Sequence, residues 1–165
     1  DGKLLSSVPI SLPNEVFSPM GAFSPNGGIL SYTDAKLAGL REPYFSFLAC
    51  SDTDGNLRFT KSLKAKNINL SVTQAVLQND GSATIYGTAE RSSKKLFRVF
   101  KLELDASGQI LSRDVRDFAT RADYQYTVKL DPLSNAYVVT EDENRIAIVP
   151  FEDLPVLDDI EFMLE

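Results

Sequence analysis

The sequence contains no histidine and no tryptophan, and its single cysteine is Cys50. Without histidine the chain lacks the commonest general base and the commonest metal ligand, and no Ser-His-Asp arrangement can be assembled from it. One cysteine excludes an internal disulfide and a cysteine-rich metal site. No apolar run approaches the ~20 residues that a membrane-spanning helix needs, and the first residues lack the basic start and apolar stretch of a signal peptide. Basic charge is not in excess either: 17 Lys and Arg face 23 Asp and Glu, a net charge of -6. The imbalance sits at the end of the chain. Phe151 to Glu165 holds six acids and no base, which leaves 17 charges of each sign elsewhere. A nucleic-acid partner is therefore not expected, because phosphate binding needs a basic stripe. A chain opening on Asp1 rather than Met reads as processed, truncated or a piece of something longer.

What the sequence does have is a repeat. Asp1-Gly2-Lys3-Leu4 returns as Asp54-Gly55-Asn56-Leu57 and again as Ser107-Gly108-Gln109-Ile110, in two steps of 53 residues. Asn26-Gly27-Gly28 returns as Asn79-Asp80-Gly81 in the same step, and Asn135-Ala136-Tyr137 follows Ser82-Ala83-Thr84 by 53 although the glycine is lost. Each copy reads as four strands separated by Gly, Asn and Asp, the residues that turns recruit for positive φ. The second copy predicts strands over 73–78, 82–87, 96–104 and 109–116, and the first over 20–24, 29–33, 44–51 and 56–63. Period-two alternation is strongest in Leu96-Phe97-Arg98-Val99-Phe100-Lys101-Leu102-Glu103-Leu104, as a strand with differently solvated faces requires. At 165 residues, 43% hydrophobic and 24% charged, the chain suits one globular all-β domain.

Four antiparallel strands in about 50 residues is the spacing of a β-propeller blade. The stretch Gln78-Asn79-Asp80-Gly81-Ser82-Ala83-Thr84-Ile85-Tyr86-Gly87-Thr88, with Phe100 to Ile110 behind it, resembles the blades of bacterial extracytoplasmic β-propeller repeat proteins, which carry an Asp-Gly-Gly turn, a strand ending in Gly-Thr, then Lys-Leu-Asp and a Gly turn. That resemblance implies a fold and an extracytoplasmic location (periplasmic, outer-membrane associated or secreted) more than an activity. The expected organisation is a partial propeller of about three blades: a lone outer strand in 1–12, blades in 20–63 and 73–116, an incomplete blade in 125–150, and an acidic amphipathic tail in 151–165. Propellers close with at least about four blades, so the lone strand completes the third unit, pairs with a missing blade, or joins two chains in one ring.

Chemistry is sparse. Asp52-Thr53-Asp54-Gly55-Asn56 offers oxygen ligands at alternate positions, but its glycine is misplaced for a calcium loop and no distal Glu follows, so it reads as a hairpin turn. The innermost strands around Ala22-Phe23, Ala75-Val76-Leu77 and Thr127-Val128-Lys129 carry no acid, which argues against a glycosidase-type carboxylate pair. No catalytic residue, metal or cofactor is assigned. Loops between second and third strands place Lys36, Arg41, Arg91, Lys94 and Lys95 as a candidate basic binding rim. Tyr124 and Tyr126 read as packing residues rather than sugar platforms. In the tail, Pro155 fits the first turn of a short helix, with Val156, Leu157, Ile160, Met163 and Leu164 along one stripe. Of these, Leu157, Ile160, Met163 and Leu164 are the candidate docking residues, set either against the chain's own domain or in a partner groove. The reading is a non-enzymatic interaction or scaffold module in a bacterial envelope or secreted assembly, its partner a protein, the remaining blades or a second copy. The alternative is a carbohydrate-binding or carbohydrate-active propeller with catalytic acids outside this chain.

Overall fold

The computed structural model describes residues 15–16, 19–36, 43–91, 96–118, 125–141 and 145–165. Three antiparallel sheets follow one another along the chain. In the first, β1 (Glu15–Val16) and β2 (Met20–Phe23) share one edge of β3 (Ile29–Lys36), and β4 (Phe45–Ser51) and β5 (Leu57–Ala65) complete the meander. The second runs β6 (Asn69–Leu77), β7 (Ala83–Arg91), β8 (Leu96–Leu104) and β9 (Ile110–Asp117) in sequence order. The third has β10 (Gln125–Leu130), β11 (Ala136–Glu141) and β12 (Ile146–Pro150). The chain is thus all-β with antiparallel sheets, and every strand expected within the described residues is present. The lone strand expected in 1–12 lies outside them.

The turns explain the spacing. At Ser24, Asp52, Gln78, Asp105 and Asp131 the chain makes one and the same hairpin: the residue's N–H donates to the carbonyl four positions on, and the N–H three positions on donates back. In each, the fourth residue has positive φ: Gly27, Gly55, Gly81, Gly108 and, in the third sheet, Ser134 at 66°. This is a type I turn closed by a left-handed residue, which matches strand twist. Ser134 pays a conformational cost that glycine would avoid. The structure also corrects one alignment: Gly27 and Gly81 are the equivalent residues, a step of 54 rather than 53, while Gly55 and Gly108 keep the step of 53.

The sheets pack face to face. Leu30, Leu48, Cys50 and Phe59 of the first meet Leu77, Ile85, Phe100 and Leu102 of the second in one core. Tyr86 and Val99 on the opposite face of the second meet Val128 and Val138 of the third, with Phe151 beneath them. The second sheet is therefore apolar on both faces, which is why β8 buries Val99 as well as Phe100, Leu102 and Leu104. Packing is tight at Gly87, where an added Cβ would strike the Ser71 carbonyl and come within 2.5 Å of Phe100 Cζ. Only a glycine fits there. Between the turns, Asn26 N–H donates to Asn79 Oδ1 and Asn26 Nδ2 to the Asn79 carbonyl, both at 3.2 Å.

The tail is where the expectation fails. No amphipathic helix forms over 155–164. After one 3₁₀ turn at Phe151–Asp153 the chain runs extended: Val156 bridges to Arg116, Asp117 N–H donates to the Pro155 carbonyl, and Leu157 N–H to that of Val115. It then crosses to the first sheet, where β13 (Phe162–Leu164) pairs with Ala65 to Leu63 of β5. The physical reason is that the outer edges of β9 and β5 present free backbone groups that a helix, bonded within itself, cannot satisfy. Ile160, Phe162 and Leu164, two apart, turn inward onto the core, while Met163 is 40% exposed. The segment is a strap across two sheet edges.

Candidate functional site

Of the basic rim, Lys36 and Arg91 fall among the described residues and Arg41, Lys94 and Lys95 outside them. Lys36 ends β3 with its ammonium 5.6 Å from the centre of the Tyr44 ring, and Arg91 ends β7. Tyr44 in turn bonds β6 through Asn69 and Leu70, and Asn69 is the register partner of Glu90, the residue before Arg91. Nearby, Pro43, Tyr44, Phe45, Lys64, Ala65, Asn67 and Met163 line a groove of about 210 Å³. That falls below the usual range for small-molecule sites of about 300–1,000 Å³.

The tail residues have definite places. Ile160 is 2% exposed inside the core, Leu164 packs against the same cluster, Leu157 is half-buried and Met163 faces outward. Their acidic neighbours are ion-paired: Asp159 with Arg98 at 2.8 Å, Asp158 with Arg113 at 2.9 Å, Glu152 with Arg116 at 2.9 Å, and Glu165 with Lys64 at 2.6 Å. Hydrogen bonding to Asp159 raises the Arg98 pKa further. Four of the six acids counted in the tail are thus taken up by the strap's own seat.

The polar groups singled out earlier are also engaged. Asp52 Oδ1 accepts the N–H groups of Asp54 and Asn56, and Oδ2 accepts the Asn56 amide, so the calcium-like string is a turn whose carboxylate is already bonded. Those bonds, the Asn56 side chain's first, hold Asp52 below the ordinary carboxylate range. Among the described residues no three His, Cys, Asp or Glu side chains gather as a metal site requires. Tyr126 stacks on Phe118 at 5.2 Å and meets Phe97 edge-on, and burial raises its hydroxyl pKa. It packs between sheets and offers no face to a sugar. Tyr124 lies outside the described residues.

Two features escaped the sequence. The first is a polar node between the first two sheets: Ser71 Oγ donates to Asp34 Oδ2 at 2.7 Å, Ser46 Oγ to Asp34 Oδ1 at 3.2 Å, and Val72 N–H to Ser46 Oγ at 2.9 Å. Burial raises the Asp34 pKa, opposed by the two hydroxyls. The node stitches β3 and β4 to β6.

The second feature is an apolar row. Phe23, Ile29, Ser51 and Leu57 are register partners on the face of the first sheet turned away from the second, with Phe23 72%, Ile29 36% and Leu57 42% exposed. Their counterparts in the second sheet, Leu77, Ala83, Leu104 and Ile110, form the row packed on the first sheet, with Leu77 2%, Ala83 3% and Leu104 1% exposed. The adjoining positions Gly21, Ser31, Ala49 and Thr60 carry no charge. Farther along the same face Ala35, Phe45, Phe47 and Ala49 are buried as a separate cluster, so the exposed row is one end of that face. At the far end of the stack, Ile146 and Ile148 of β12 are 70% and 64% exposed, and β12 pairs on one side alone among the described residues. No family model matches the chain, and neither a curated protein nor a solved structure matches it.

Proposed function

We propose that the chain is a non-enzymatic interaction or scaffold module: an arc of β-propeller-type blades whose terminal faces receive a further sheet or a protein partner. One observation carries this. Phe23 and Ile29 stand 72% and 36% exposed on the first sheet, whereas their equivalents one sheet on, Leu77 and Ala83, lie at 2% and 3% exposure against its neighbour; Leu57 is 42% exposed where its equivalent Ile110 is half-buried. A position apolar in both sheets but covered in one calls for a cover in the other. Fully covering Phe23 alone is worth about 1.5–3 kcal/mol. The resemblance of the second repeat to extracytoplasmic propeller repeats supports a place in a bacterial envelope or secreted assembly, and on the described strands Glu103, Asp114 and Asp117 are ion-paired while Asp34 is held by two serine hydroxyls.

Two measurements test the reading together. A reporter dye for apolar surface binds the wild-type chain, and binding falls when Phe23→Glu and Leu57→Glu are combined. An oligosaccharide panel yields neither saturable binding nor product. Turnover of any glycan replaces the scaffold reading with the carbohydrate-active one, and dye binding unchanged by the double substitution removes its basis.

A further inference from the structure

The strap's seat has the properties of a binding site that happens to be filled from within. Its floor is the seam between the first two sheets, where Ile160 enters the shared core and Phe162 lies 5.0 Å from Phe100. One wall is the edge of β5, which exchanges hydrogen bonds with the incoming strand: Ser62 N–H donates to the Glu165 carbonyl at 2.8 Å and Glu165 N–H to that of Ser62 at 3.2 Å. The rim is basic, with Arg98, Arg113 and Lys64 taking Asp159, Asp158 and Glu165. Edge pairing, alternate apolar sockets and opposite charge are the three elements by which sheets recognise an extended peptide.

What fills the seat is held as a peptide would be. Between Leu154 and Asp159 the strap is largely exposed, Val156 at 64%, so nothing buried lies between residues 160–165 and the 3₁₀ turn at Phe151 except the half-bonded run along β9. Lifting these residues leaves every strand of the three meanders paired as before. We infer that this seam is a strand-acceptor groove for residues 158–165 of a second copy of the chain as well as of its own, so that two copies associate by exchanging C-terminal strands. The occupant is set by charge and spacing: Asp-Asp-Ile-Glu-Phe-Met-Leu-Glu places its acids against the three bases and its apolar residues in the sockets. Exchange of an identical element between copies is a low-cost route to a dimer.

The test uses two full-length variants, Lys64→Cys and Met163→Cys, which are opposite one another across the β5–β13 pair and whose native side chains are partly exposed. Cys50 is fully buried and stays silent. Copies are mixed at rising concentration, incubated, and joined with a short thiol-reactive linker. Exchange gives a covalent heterodimer, at least tenfold above a control mixture of Lys64→Cys with the remote, exposed Leu133→Cys. Free peptide 158–165 suppresses it, and the same peptide with Ile160→Asp does not. A yield equal to the control, with both variants retaining their circular dichroism, overturns the inference, as does suppression by the Ile160→Asp peptide.

Discussion

Replacing Ile160 by alanine probes the strap at its most buried point. The side chain is 2% exposed and belongs to the core shared by the first two sheets, so truncation loses both transfer free energy and packing, about 2–5 kcal/mol. Domains of this kind are stable by about 5–15 kcal/mol, so the loss is a large share of the total. At roughly 2–4 °C per kcal/mol for a chain of this size, Tm falls by about 4–20 °C. Met163→Ala is the matched control: three residues on, in β13 and 40% exposed, it is expected to cost no more than about 0.5 kcal/mol. Urea unfolding followed by far-UV circular dichroism measures both, with tyrosine emission as a second probe in a protein without tryptophan. A tail lying free would leave both variants at the wild-type midpoint, and a helix presenting the 157, 160, 163 and 164 stripe would make both substitutions costly. Either result refutes the extended strap.

Gly87→Ala is expected to destabilise by about 1–3 kcal/mol or more, since the new methyl meets a backbone carbonyl and the Phe100 ring; unchanged urea stability would show that β7 and β6 do not approach as described. Burial holds Asp34 above the usual carboxylate range, against the Ser71 and Ser46 hydroxyls. The folded chain therefore binds that proton more tightly than the unfolded one, and this contribution to stability, full below the unfolded pKa, is lost as pH rises through the folded value. The stability of Asp34→Asn relative to wild type should accordingly grow between about pH 4 and pH 7, and a constant difference would count against a buried, charged Asp34. Neutralising the strap's paired acids together (Glu152→Gln, Asp158→Asn, Asp159→Asn, Glu165→Gln) should lower stability at low salt by a total of about 1–3 kcal/mol, with most of the difference gone in 1 M NaCl; an effect indifferent to salt would place these charges elsewhere than on Arg98, Arg113, Arg116 and Lys64.

The strands were legible because their evidence is local. Leu96 to Leu104 alternates, and Asp105 to Gln109 spells its own turn, so both strand and turn can be read without knowing what they touch. The tail was not, because Ile160 to Leu164 is a short apolar run that fits either period. Its stripe at helical spacing omitted Phe162, which packs on Phe100, and included Met163, which does not turn inward. What decides between the two is a free edge on β5, nearly a hundred residues away. Asp34 was passed over for a related reason: its partners Ser46 and Ser71 come from two other strands, and nothing in the local sequence announces a junction. The exposed row was hidden by its ordinariness, since Phe23, Ile29 and Leu57 are what any strand would bury, and only comparison with the buried Leu77 and Ala83 reveals that Phe23 and Ile29 are uncovered.

Thiol reactivity at one pair of equivalent positions tests the stacking most directly. Cys50 is fully exposed to no solvent and burial raises its thiol pKa, so the background is slow. Phe23→Cys and Leu77→Cys, labelled separately with a thiol reagent in dilute solution, should differ by at least about 100-fold, the first reacting near the rate of the unfolded chain and the second only through opening of the core. Equal rates would mean that the two rows are equally covered, and that the first sheet has no exposed apolar row waiting for a neighbour.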